Sequence, residues 1–364
     1  MMQIRLVLRG PPLEAGASLA RFILSVLRAC LRRALFGPQR PSWPLNFEIA
    51  TFFFRAQGRR AFHVAGDGAG LPTARRLIDT FIFRLPHFYQ VRIVPEIAAP
   101  IRGRWFIADQ DGPLVLHFHG GGYVFSPATT DNLVAAVACA IGGRTFVPDY
   151  RLAPEHPFPC QLDDALASYE WLLGMAALNR PLVVTGDSSG GHLALALLLA
   201  LCEKGLRLPD ATIAISPWTE PGGGGASLST NAPSDWMTDA MLKRMAAWAG
   251  MQGGADHPLF RLTQADLSPL QHVLVHVGGA EICLDMVQRL AARARAAGAD
   301  VTCEVWPDMN HNFHGFGDLL PQSRQALEKI ASFVAQRVAK ATYAQSARPL
   351  ASAPPRPRAD IGGN

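Results

Sequence analysis

One serine in this chain stands where a hydroxyl can be made to react. Gly186, Ser188 and Gly190 form G-x-S-x-G within "TGDSSGGHLALALLLA" (185–200), between a short apolar run, "PLVVTGD" (181–187), and a helical apolar pattern. A strand-to-helix turn of this kind is what a nucleophile elbow requires, because glycines on either side leave room for the tight bend that presents the serine. Ser189 lacks that setting, since the residue two before it is Asp187 rather than glycine. Its expected contribution is a backbone N–H at the helix start, aimed at a developing oxyanion. A second group of donors lies in "HFHGGGYVFSP" (117–127), where consecutive glycines leave the N–H groups of Gly121 and Gly122 open to a substrate oxygen. His119 reads as a brace for that loop.

A serine hydroxyl needs a base to take its proton and a carboxylate to hold the base, and after an elbow of this type they follow in the order Ser, acid, His. For the base, "WPDMNHNFHGFGD" offers His311 and His314; for the acid, "GGAEICLD" offers Glu281 and Asp285. Residue types alone leave both pairs open. The chemistry implied is acyl transfer through a serine nucleophile, which needs no metal and no organic cofactor.

The elements that must position these groups are visible as alternation. From about residue 89, β-branched runs alternate with helical patterns, the mark of a mostly parallel sheet covered on both faces. The runs are "QVRIVPEI" (90–97) and "RGRWFIAD" (102–109), close enough to pair antiparallel, then 113–119, 144–150, 181–187, 211–217, 272–278 and 301–306. Eight strands are expected. "LDMVQRLAARARAAG" (284–298) illustrates the intervening helices, with Leu284, Val287 and Leu290 on one face and Gly298 as a stop. The apolar run 193–201 is too short to span a bilayer and reads as a buried helix.

Residues 1–85 and about 218–258 fall outside the alternation. The first is expected to form an N-terminal helical cap, the second a cap insertion within a catalytic domain of 86–340, and 341–364, rich in Pro, Ala and Arg, a disordered tail. "FEIATFFFRAQ" (47–57) reads as a cap helix whose phenylalanines either pack on the body or line an entrance.

The motifs "HGGGY", "YRLAPEHPFP" (150–159), "GDSSGG" and "SPW", in that order, resemble those of the hormone-sensitive-lipase family of α/β-hydrolases over roughly 90–340. The resemblance implies an α/β-hydrolase fold and hydrolysis of short- to medium-chain carboxylic esters. In that family the acid follows the seventh strand with a second Asp four residues on, and the histidine comes roughly thirty residues later. That pattern selects Glu281 and His311 over Asp285 and His314. It also implies that Arg151 and Glu155 brace the core. Two departures are Ser189, where relatives usually have Ala, and Glu281, where many have Asp. Rival readings are an amidase, lactonase or deacetylase with the same triad, an interfacial lipase, and a non-catalytic ligand receptor.

Composition narrows the partners. The chain has 364 residues, 49% of them hydrophobic, enough for a large core. Its net charge of +5 comes from arginines concentrated near the two ends, with no basic run interleaved with aromatics, so nucleic acid is not an expected partner. Cysteines 30, 139, 160, 202, 283 and 303 show neither metal-site nor disulfide spacing and imply reduced thiols in a cytoplasmic protein. "SLARFILSVLRACLRRALFG" (18–37) has arginines in its apolar stretch, which argues against a signal peptide or a spanning helix. Arg21, Arg28 and Arg32 share one helical face, leaving an amphipathic helix on the protein's own surface or in peripheral contact with a membrane.

Overall fold

The computed structural model describes residues 4–175 and 180–346. In chain order the elements are β1 (Arg5–Leu8), α1 (Pro12–Phe36), α2 (Leu45–Ala65), α3 (Leu71–Ile78), β2 (Phe81–Arg84), β3 (Arg92–Glu96), β4 (Gly103–Ile107), β5 (Leu114–Phe118), α4 (Asp131–Ile141) and β6 (Arg144–Pro148). Then come α5 (Cys160–Met175), β7 (Leu182–Asp187), α6 (Ser189–Glu203), β8 (Ala211–Ile215), α7 (Ser227–Thr230), α8 (Asp239–Ala249), β9 (Val273–Gly278), α9 (Leu284–Ala296), β10 (Val301–Trp306) and α10 (Pro321–Ser346).

Each of the eight expected runs is a strand of one sheet, ordered β10-β9-β8-β7-β5-β6-β4-β3. β4 runs antiparallel to β3 and β6, and the other neighbours are parallel. β5, β7, β8 and β9 are buried along their whole length, which is why they read as continuous apolar runs rather than alternating ones. α6 passes behind them with Leu193 to Leu201 all buried, and among the described residues no helix is long and apolar enough to cross a membrane. The order of strands reverses at β5, with β6 added on one side of it and β7 on the other, and an open parallel sheet places its ligand crevice at such a switch point.

The N-terminal segment is not purely helical. β1 and β2 pair antiparallel in a separate two-stranded sheet, with Arg5 opposite Arg84. Each is four residues long and its partner lies at the far end of the segment, so no hairpin signal marks them. Around this ribbon α1 packs on α2 through small and polar residues: Ser18, Ser25 and Ala29 are its buried positions. Gln57 of α2 anchors the contact, accepting from Arg21 Nε at 2.8 Å and donating to Leu77 O at 2.7 Å. Phe22 adds an aromatic cluster with Phe53, Phe81 and Phe83.

The phenylalanines of α2 divide between the two expected roles. Phe47 packs in a satellite core with Trp43, Met309 and Phe313, whereas Phe53 and Phe54 line a cavity. From α3, Arg75 reaches the main domain, donating to Val124 O and Ala153 O at 2.8 Å each and to both Glu155 carboxylate oxygens. Glu155 is thus tied to the N-terminal layer, while Arg151 pairs with Asp164 at 2.7 Å. The tail expected from 341 begins as a continuation of α10 to Ser346; residues 347–364 lie outside the described residues.

Candidate active site

Ser188 occupies the turn between β7 and α6 at φ 55° and ψ −119°, a backbone region costly for any residue with a Cβ. The glycines around it are sterically required. A Cβ on Gly186 would lie 2.1 Å from Gly190 O, and one on Gly190 would lie 1.9 Å from Phe118 O. The register that places Phe118 beside Gly186 brings the loop after β5 against this turn. In that loop Gly121 and Gly122 have φ of 124° and 63°. Their backbone N–H groups and that of Ser189 donate to no acceptor in the chain among the described residues.

Two side chains fasten the loop to the turn. Ser189 Oγ accepts from Tyr123 N at 3.2 Å, a bond that an alanine at this position could not make. Asp187, fully buried, accepts from Gly120 N at 3.0 Å and from Asn312 Nδ2 at 2.7 Å, with His117 Nε2 at 3.3 Å. One carboxylate therefore joins the glycine loop, the serine turn and the loop after β10. His119 braces as expected, with Tyr150 Oη donating to its carbonyl at 2.6 Å and the two rings stacked at 4.3 Å.

The loops after β9 and β10 bring Glu281 and His311 together. His311 Nδ1 lies 3.1 Å from Glu281 Oε2, and Glu281 Oε1 accepts from Gly278 N at 2.6 Å and Ser216 Oγ at 2.5 Å. Both residues are buried. Asp285 is directed elsewhere, accepting from Ser227 N at 2.9 Å. His314 stacks on His276 with a 3.1 Å contact between ring nitrogens, and burial together with the neighbouring His276 and His311 keeps its pKa well below the ordinary histidine value.

Burial opposes protonation of His311, but the hydrogen bond and charge of Glu281, with the charges of Asp235 and Asp187, outweigh it and raise its pKa above the usual value. Asp235 is a carboxylate that residue patterns did not single out. It is fully buried, accepts from Ile282 N at 2.8 Å and Met237 N at 3.3 Å, and so fixes the start of the Glu281 loop. Burial outweighs the opposing charge of His311 and, with a smaller push from the charge of Glu281, lifts its own pKa to about 6. No spacing rule in the sequence points to it, because "PSDW" lies in the segment outside the strand alternation.

This arrangement has a pH consequence. A histidine acting as a base must be neutral, so with His311 in that role activity is expected to rise with pH through its pKa. Removing a carboxylate that favours its charged form lowers that pKa. Asp235→Asn is therefore expected to move the acid limb of the kcat/KM profile to lower pH, read from initial rates on a soluble ester across pH 4–9. An unmoved limb would mean that Asp235 acts only through the loop backbone.

Ser188, His311 and the glycines 120–122 line one cavity of about 350 Å³ whose other walls are mainly apolar, among them Phe53, Phe54, Phe81, Phe125 and Met245. Such a site can hold an acyl chain, take a serine proton at an imidazole, and offer bare N–H groups to an oxyanion.

Residues 115–315 match the α/β-hydrolase fold family. An acetyl-hydrolase of Streptomyces hygroscopicus is 37% identical over 229 residues, covering 62% of this chain and 77% of that one. An esterase of Acinetobacter venetianus is 32% identical over 271 residues, covering 71% of this chain and 87% of that one. Among solved structures, an esterase from the bacterial hormone-sensitive lipase family superimposes with a TM-score of 0.69 at 32% identity, covering 79% of this chain and 98% of that one.

Proposed function

Since the chain belongs to the hormone-sensitive-lipase family of α/β-hydrolases and is a serine ester hydrolase, we propose that it cuts short- to medium-chain carboxylic esters through Ser188, His311 and Glu281. The reading rests on one observation: the serine on its positive-φ turn and the carboxylate-held histidine line the same apolar cavity. In this reading Ser188 Oγ attacks the ester carbonyl as His311 takes its proton, and Glu281 holds the imidazolium. The N–H groups of Gly121, Gly122 and Ser189 bind the tetrahedral oxyanion. Collapse breaks the ester C–O bond, His311 returns the proton to the leaving alcohol, and water repeats the sequence on the acyl-enzyme to release the acid.

Residues 1–85 act as the cap of a catalytic domain of 86–340, and the 218–258 insertion adds Trp236, Met237, Met241 and Met245 to the cavity wall. The six free cysteines support a reducing, cytoplasmic setting. A volume of about 350 Å³ is at the small end for ligand sites and favours acyl chains of about four to eight carbons. Hydrolysis of p-nitrophenyl esters from acetate to palmitate is expected to peak in that range. A preference for palmitate would overturn the size argument, and faster cleavage of matched amides or lactones would overturn the substrate class.

A further inference from the structure

α1 is oriented opposite to an ordinary surface helix. Its small and polar residues face the protein, and its leucines face out: Leu24 is 64% exposed, Leu27 60%, Leu31 63% and Leu35 65%. These four positions form one stripe at helical spacing, and Leu13, 89% exposed, lies on the same face nearer the start of the helix. Burying such a stripe is worth far more than leaving it in water, and an exposed apolar band of this length marks a contact surface.

Two observations identify what covers it. The first is charge. Beside the stripe, Arg28 and Arg32 of α1 join Arg40 and Arg55 around a cleft with no carboxylate in its wall. Glu14 is the one acid before Glu48 in the sequence. Two copies of the chain pairing antiparallel on this stripe would set arginine flank against arginine flank, whereas an anionic surface would neutralise it. The second is continuity with the site. Ile4, 51% exposed, lines the cavity that holds Ser188, and the chain runs from it through the exposed Leu6 and Leu8 of β1 into α1, whose Phe22 reaches the same cavity from the face opposite the stripe.

We propose that α1 is a lipid-docking helix that seats the protein on an anionic phospholipid leaflet, its leucine stripe in the acyl region, its arginine cleft on the lipid phosphates, and the cavity rim at the interface. The docking stands on α1 alone; delivery of membrane-dissolved esters to Ser188 rests in addition on the proposed esterase reading. Binding has two separable components, apolar burial and salt-sensitive attraction to headgroups.

The test is co-sedimentation of the full chain with vesicles of phosphatidylcholine containing phosphatidylglycerol, and with phosphatidylcholine alone, at low and high salt. The protein is expected to bind the anionic vesicles, less so as salt rises. Leu24→Glu/Leu27→Glu/Leu31→Glu is expected to lower partitioning by at least about 100-fold. Arg28→Gln/Arg32→Gln is expected to lower it by roughly 30-fold and flatten the salt dependence. Both variants are expected to keep wild-type hydrolysis of soluble p-nitrophenyl butyrate, which controls for folding. Equal partitioning of wild type and leucine variant overturns the proposal, as does a wild-type dimer that the leucine variant splits and that ignores vesicles. Vesicle binding by a protein that hydrolyses no ester would leave the docking intact and reject the esterase reading.

Discussion

Ser188→Ala is expected to lower kcat on p-nitrophenyl butyrate by about 10⁴- to 10⁶-fold, with the circular dichroism spectrum and thermal midpoint unchanged. The size follows from what is removed. Alanine leaves the cavity and the bare N–H groups in place, so the residual rate is that of binding and oxyanion stabilisation acting on water without a covalent step. Stability is spared because the strained backbone at φ 55° belongs to the turn rather than to the hydroxyl, and the Ser188 N–H still donates to Ile215 O at 2.9 Å. A loss of less than about 10-fold would reject Ser188 as the nucleophile.

Glu281→Gln is expected to cost about 10³- to 10⁴-fold in kcat while leaving KM near its starting value. The glutamine can still accept from Gly278 N and Ser216 Oγ through one oxygen, so the loop is held. Its amide then turns N–H toward His311 Nδ1, where a carboxylate oxygen had been. That selects the tautomer with hydrogen on Nε2, which cannot take a proton from serine, and removes the charge that favours the imidazolium. Asp285→Asn supplies the contrast: its contact is a backbone N–H of Ser227, which an amide oxygen also accepts. Its kcat is expected within about 3-fold of wild type. Equal losses in the two variants would reject Glu281 as the acid.

The strands and the Ser188 turn were legible because their signals are local: a β-branched run, then glycines that a tight turn demands, then an apolar helix. Glu281 and His311 were harder. Each had a rival a few residues away of the same type, and only a family pattern of spacing chose between them; in three dimensions Ser216 and Gly278 draw Glu281 inward while Ser227 holds Asp285 and His276 holds His314. Asp187 and Asp235 went unnoticed because their work is done across the fold, on Gly120, Asn312 and Ile282, none of which is a sequence neighbour. β1 and β2 escaped for the same reason. α1 was legible as amphipathic, but which face looks inward depends on Gln57 and Thr80, which accept its serine and arginine groups from other elements.

Arg75 carries a kinetic consequence. A single side chain fastens α3 to Val124, Ala153 and Glu155, two of these bonds being to backbone carbonyls. Swinging the N-terminal layer open as a hinged lid would break all of them at once, at a cost of a few kcal/mol to which the exposed Glu155 adds least, and would wet the Phe22 cluster. Traffic through the rim instead needs only rotamer changes of residues such as Ile4, which take nanoseconds rather than the microseconds to milliseconds of a domain hinge. Escape of the acid and alcohol products is then expected to outpace acylation and deacylation, so that turnover should track the reactivity of the ester bond.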